Sequence, residues 1–327
     1  MCVQHFARHG LLGTVVEVLV GPFTDPAEDP NDDDPVGDPA DEDPVAERAA
    51  EVAFATIAEL ESVFSAYDEA SDLQRWKRGQ LTDLRSSFCQ AMADALAWQE
   101  RSEGAFNPLI GVLTERWRRA GELGAVPSTD ELSHLADTIR RPRFTIDDDG
   151  RPRPIGDVAL LNLNAFVKGW IVDRAAEAAL AASPRRGVVV NAGGDLRHAG
   201  PGSVLAGVEN PLRPFDNEPP VAVVSIAREG LATSGRARRG IHVAGRWFGH
   251  VIDARTGWPA DAVASVSVIA PEAATADVVA TIAGVEPAAL APVRAAGFGT
   301  ACLVIAATGD HHVNEAWAGR VGGASEA

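Results

Sequence analysis

The sequence predicts an α+β protein with a helix-rich first part and a strand-rich second part, and three observations carry that reading. Apolar residues recur at helical spacing through Val52, Ala55, Ile57, Leu60, Val63 and Phe64, and again at Leu109, Leu113 and Trp117. After Arg185 the chain breaks into short β-branched runs bounded by glycine and proline, of which RRGVVVNAGGD is the first. Helical stretches in that second part are few and irregularly placed, which argues against a regular strand–helix–strand array.

Taken in order, Gly13 to Val20 reads as a strand entered through a glycine. Residues 24–47 follow, rich in Asp and Pro, with little apolar surface to offset chain entropy, and are expected to be a disordered acidic insertion. A helix is expected over Val45 to about Tyr67, then a turn at Asp68 to Ser71 in which Ser71 can cap. Helices are also expected over Leu84 to Ala97 and Leu109 to Arg119, with a break at Ala105-Phe106-Asn107-Pro108 between them and a partly helical polar stretch over Gly121 to Arg143. Further strands are expected at Val204 to Val208, Ala222 to Ile226, Gly230 to Ser234, Trp247 to Ile252, Ala264 to Ile269 and Thr300 to Ala306. Helices are expected after Lys168, at Ala274 to Ile282 and near Pro287 to Ala295, and residues 321–327 as a frayed tail.

Charge and composition narrow the function classes. Of the net charge of −17, eleven carboxylates lie between Asp25 and Glu47, so the remainder stands at −6. A mildly acidic body argues against nucleic acid as a partner while leaving room for a local phosphate pocket. Cys2, Cys89 and Cys302 show no metal-like spacing and no disulfide framework. No apolar run reaches the roughly 18 residues of a membrane span, and no basic region precedes an apolar one at the start, so a cytoplasmic protein is expected.

Two stretches are informative as a pair: LNLNAFVKGWIVD, Leu161 to Asp173, and ADVVAT, Ala276 to Thr281. The first changes period at Lys168-Gly169, which is expected to feed a helix whose free N–H groups, with the Lys168 charge, face an anion. The second sets Asp277 and Thr281 four apart on one helical face, and two hard oxygens side by side suit Mg²⁺. On spacing alone, Asp277 can equally be a first-turn carboxylate and Thr281 a back-bonded core hydroxyl. Gly193-Gly194 fits a tight turn or a ligand contact. Thr233-Ser234-Gly235, followed by Arg236, Arg238 and Arg239, can hold a phosphate or form a solvated basic loop. His250 lies at a strand end beside Asp253 and can be a general base or a structural histidine, and no GxSxG elbow supports a serine hydrolase.

These motifs occur in the order in which they occur in the ApbE family of FAD:protein FMN transferases, which the chain resembles over nearly its whole length outside the acidic stretch. The lysine-glycine motif is followed by NAGGD, ATSG, HVIDARTGWP and ADVVAT; Gly13-Thr14, FSAYDEASDL and GAFNPLIGVL precede it. The resemblance implies a single two-lobed, T-fold-like domain over residues 1–320, with FAD in a cleft between a helix-rich and a mixed-sheet part. It implies Mg²⁺-dependent transfer of FMN from FAD to a Thr or Ser hydroxyl of an acceptor protein, with AMP released. By position, Asp277 and Thr281 resemble the side-chain Mg²⁺ ligands, Ala165 the backbone-carbonyl ligand, and His250 with Asp277 the catalytic pair. Tyr67, Lys168, Gly193, Gly194, Asp195, Thr233, Ser234 and Gly235 would line the FAD site. The sequence departs from the family pattern at Leu12, where methionine is usual, at Asn107, where aspartate is, at Arg236 in place of an aromatic, and at Ala254 in place of proline. Those departures keep two rivals in view, a flavin-binding protein without transferase activity and a Mg²⁺-dependent FAD pyrophosphatase.

Overall fold

The first strands of the chain and its last ones meet in one sheet. The computed structural model describes residues 2–23, 43–215, 217–236 and 239–320. It opens with β1 (Gln4–Leu11) and β2 (Thr14–Gly21), a hairpin turned at Leu12 and Gly13, whose φ values of 51° and 68° are those a tight hairpin turn requires. β1 carries His5, Arg8 and His9 and faces mostly outward, so it lacks the apolar alternation that marks a strand in sequence.

Five helices follow among the described residues: α1 (Pro44–Phe64), α2 (Asp72–Lys77), α3 (Ser86–Arg101), α4 (Gly111–Leu123) and α5 (Thr129–Ile139). Three have side-chain caps, from Asp43, Ser71 and Ser128, and α4 stops at Gly124 in the left-handed conformation. Because Asp43 caps α1 and Pro44 opens it, Pro44 to Glu47 are helical, which corrects the expected end of the acidic insertion. The rest of that stretch, 24–42, and the tail at 321–327 lie outside the described residues.

A short hairpin, β3 (Phe144–Ile146) and β4 (Pro152–Pro154), leads to α6 (Asn164–Ala182). The strand-rich part then runs β5 (Gly187–Ala192), β6 (Asp195–Ala199), β7 (Val204–Val208), β8 (Ala222–Ile226), β9 (Gly230–Gly235), β10 (Gly240–Val243), β11 (Arg246–Gly249) and β12 (Val263–Ala270). α7 (Ala273–Gly284), α8 (Ala291–Ala296), β13 (Ala301–Ala306), β14 (His311–Val313) and α9 (Glu315–Ala318) complete it. The strand expected to reach Ile252 ends at Gly249, and Ile252 makes only an isolated bridge to Pro259.

Eight strands form one antiparallel sheet in the order β1-β2-β5-β6-β9-β12-β13-β14. Strand alternation gives it two covered faces. On β13, Cys302 and Val304 join the main core with α6 and α7, whereas Leu303 and Ile305 join a second cluster with Val224 of β8 and Trp317 of α9. α1 lies across α6, and α6 across α7, so the segment after Leu161 is buried between helices and sheet.

Candidate functional site

The site grows from the contact between α6 and α7. At Gly169 of α6 an added Cβ would stand 2.5 Å from the carbonyl oxygen of Ala273, so only glycine lets the helices approach this closely. One turn on, Asp173 accepts the N–H of Ala273 at 2.8 Å and of Ala274 at 2.9 Å. It thereby caps α7, whose own N-cap residue Glu272 makes no capping bond. The Gly169 N–H in turn lies on the Asp277 carboxylate. Asp173 meets Ala273 and the Gly169 N–H meets Asp277, so the helices run antiparallel, with Ala165 one turn before Gly169 on α6. α6 is kinked there: Ala165 has φ −83° and ψ 15°, and in a regular helix its carbonyl would take that same Gly169 N–H.

Lys168 therefore lies in the first turn after the kink at Ala165, and the free Gly169 N–H of that turn faces the Asp277 carboxylate rather than an outside anion. Gly169 serves helix packing. The Lys168 ammonium stands 3.0 Å from Asp195 Oδ2 and reaches the carbonyls of Ala192 and Gly193 at 3.3 and 3.4 Å.

Asp195 on β6 and Asp277 on α7 are 2% and 6% exposed and lie against each other. Burial pushes both carboxyls above the usual carboxylate range; the Asp195 charge pushes Asp277 well up, while Lys168 pulls both down. Asp277 Oδ2 is buried with no hydrogen-bond partner among the described residues. Asp277 is the fifth residue of α7, past the first turn that Asp173 caps. Thr281 Oγ1 lies 3.4 Å from Ser234 Oγ, so the hydroxyl faces β9. An open carboxylate oxygen, a hydroxyl one turn away and a backbone carbonyl at a kink are hard donors that fit Mg²⁺, which fills its remaining positions with water and phosphate. No group of three His, Cys, Asp or Glu side chains among the described residues forms a complete cage.

The other expected residues divide. Gly193 and Gly194 form the two-residue turn between β5 and β6, with φ 58° and 97°, so the turn alone accounts for both; a Cβ on Gly194 would meet nothing within 4 Å. Ser234 faces α7, but Thr233 points through the opposite face of the sheet and bonds Ser267 at 2.8 Å, so it is not part of the cluster. Gly235 pairs with Ser265 at the end of β9. Tyr67 is 88% exposed, and none of its contacts among the described residues joins it to the carboxylates.

His250 follows β11, with Nδ1 3.2 Å from the Arg239 carbonyl. A proton assigned to Nδ1 donates there and leaves Nε2 as the basic atom. Although the residue is exposed to solvent, crowding by protein atoms on its other side, and then the Arg239 and Lys168 charges, hold its pKa below that of a free imidazole, so the ring is neutral at pH 7. The Arg239 charge also lowers the pKa of Asp195, and its carbonyl is the group that His250 meets. The sequence offers Arg239 within a stretch that can hold a phosphate or form a solvated basic loop, and gives Asp173 and Arg197 no role.

Local bonding explains several departures. Asn107 is buried, donates to the Ile139 carbonyl at 2.9 Å and accepts from Leu109 N–H at 2.9 Å, a pairing that an ionised aspartate lacks the donor to make. Arg236 donates to the Asp261 carbonyl at 2.6 Å, while its own carbonyl accepts Trp247 Nε1 at 3.0 Å. Leu12 donates its N–H to Glu61 Oε1 at 3.0 Å. A cavity of about 280 Å³ takes in Asn107 and Ala254 with Glu103, Arg140 and Arg255, and none of the carboxylate cluster.

Comparison with known proteins agrees with this architecture. The sequence profile of the ApbE family matches residues 12–302. The FAD:protein FMN transferase of Haemophilus influenzae is 24% identical over 243 residues, 69% of this chain and 69% of that protein. That of Treponema pallidum is 29% identical over 255 residues, 71% of this chain and 70% of that protein. The crystal structure of the ApbE protein of Thermotoga maritima superposes with a TM-score of 0.80 at 23% identity, covering 98% of this chain and 100% of that one. The apo flavinyl transferase ApbE of Pseudomonas stutzeri gives 0.74 at 20% identity over 99% and 98%. Both likenesses establish the fold.

Proposed function

The chain belongs to the ApbE family, and we propose that it transfers FMN from FAD to a Thr or Ser hydroxyl of an acceptor protein. The hydroxyl oxygen bonds to the FMN phosphorus, the pyrophosphate P–O bond breaks, and AMP leaves. The observation that carries this reading is Asp277 Oδ2, a buried carboxylate oxygen with no partner among the described residues, one turn from Thr281. The names of the Haemophilus and Treponema relatives supply the substrate class.

Asp277, Thr281 and the Ala165 carbonyl would hold Mg²⁺, which when bound supplies Lewis-acid stabilisation of charge on the pyrophosphate. Lys168 and Arg239 place positive charge beside the same carboxylates and offset the polyanion. The bare face of Gly194 and the Ser234 hydroxyl admit FAD phosphate oxygens, with Gly193, Asp195 and Gly235 shaping that wall. His250 Nε2 takes the proton from the attacking hydroxyl, which is a poor nucleophile until it is lost. No helix among the described residues is long and apolar enough to cross a membrane, and the unpaired Cys2, Cys89 and Cys302 suit a reducing compartment, so the reading places the reaction in the cytoplasm.

The test is incubation of the protein with FAD and Mg²⁺, with and without a threonine-containing acceptor domain, read by intact mass and AMP. An acceptor heavier by one FMN, with AMP in equal amount, is the expected result. AMP and free FMN without an adduct identify a pyrophosphatase, and bound FAD without turnover a binding protein; either overturns the reading.

A further inference from the structure

We propose that Asp173 is a positioning residue for the cation site, acting through the first turn of α7 and held in place by Arg197. This rests on the reading of Asp277 and Thr281 as cation ligands.

The argument is geometric. α7 brings both side chains to the site, and nothing in its own sequence caps it. Its first free N–H groups, on Ala273 and Ala274, are instead both taken by one carboxylate that arrives from α6, a hundred residues earlier in the chain. Asp277 lies one turn past Ala273, so the Asp173 contact fixes the height and rotation of that helix relative to Lys168 and the Ala165 kink. Gly169, one turn from Asp173 on α6, carries no side chain to hold the helices apart. From the sheet, Arg197 Nε lies 3.3 Å from Asp173 Oδ1, two residues beyond Asp195 on β6. One carboxylate thus ties together the three elements that supply Ala165 and Lys168, Asp277 and Thr281, and Asp195. A partner that orients a metal ligand typically affects metal affinity by about 10–100-fold when removed.

The probe is Mn²⁺, titrated into the full chain and read by electron paramagnetic resonance, with wild type, Asp173→Asn, Arg197→Gln and Asp277→Ala compared. Asp173→Asn keeps the size of the side chain but turns one acceptor into a donor facing an N–H. It is expected to weaken Mn²⁺ binding by about 10–100-fold in protein that still unfolds cooperatively. Arg197→Gln, which leaves both cap bonds intact, is expected to weaken it less, and stands in should Asp173→Asn fail to fold. Unchanged Mn²⁺ affinity in a folded Asp173→Asn protein, or in Arg197→Gln where the first does not fold, overturns the proposal. Equal binding by wild type and Asp277→Ala means that the cation reading itself has failed, a separate result.

Discussion

Two aspartates buried in the same helix contact are treated in opposite ways. At one end, Asp173 has both oxygens on backbone N–H groups and a guanidinium at 3.3 Å. At the other, Asp277 lies against a second carboxylate and keeps Oδ2 without a partner among the described residues. An unsatisfied buried acceptor costs about 1–3 kcal/mol, and more when charged, so folding alone explains the first end and not the second. The contrast agrees with the proposed cation site at the open end, where the chain tolerates an electrostatic cost, and with the proposed positioning role of Asp173 at the other.

The largest expected effect falls on the open end. Asp277→Ala should reduce FMN transfer by roughly 10³-fold or more, read as acceptor mass per unit time. Asp277→Asn, measured by urea unfolding in EDTA, should leave the protein as stable as wild type or about 1 kcal/mol more so, because a repulsive buried charge is gone. A large loss of stability in EDTA would erase the distinction between the two ends. His250→Ala should slow transfer by roughly 10²-fold with FAD binding retained, which separates proton removal from substrate binding.

The closed end should respond in the other currency. Asp173→Ala leaves the N–H groups of Ala273 and Ala274 without their acceptor and the Arg197 charge without its counter-ion, and should cost about 3 kcal/mol in the same unfolding assay.

His198 sharpens the rule, since its Nε2 is also buried without a partner among the described residues while Nδ1 accepts the Arg228 N–H at 2.9 Å. Burial, then the Arg197 and Arg228 charges, lower its pKa from 6.5 to about 4. The unfolded chain therefore takes up the proton first, and stability that is full above pH 6.5 is lost as the pH falls from there through about 4. Between pH 7 and pH 5 this should amount to about 2 kcal/mol, and His198→Asn should flatten that part of the profile.

Much of this architecture was legible in the sequence because periodicity and turn chemistry act locally. The helical spacing of Asp277 and Thr281, the NAGGD turn and the Ser71 cap are each set within a few residues. What was hidden depends on partners far away. β1 looks unlike a strand because its pairing with β2, not its own alternation, makes it one. Lys168-Gly169 reads as a helix start, and the helix is indeed broken just before it at Ala165, yet the glycine answers to Ala273 on another helix. Thr233 and Ser234 look like one hydroxyl pair until strand alternation sends them to opposite faces. Asp173 gave no signal, since a cap supplied from a hundred residues away has no local pattern.

The most direct test is a crystal of the protein soaked with Mn²⁺ and FAD, with the metal located by its anomalous scattering. One peak about 2.1 Å from Asp277 Oδ2, Thr281 Oγ1 and the Ala165 carbonyl, touching the FAD pyrophosphate, is the predicted result. A pyrophosphate bound with no metal at Asp277, or a metal held away from this cluster, would contradict the account.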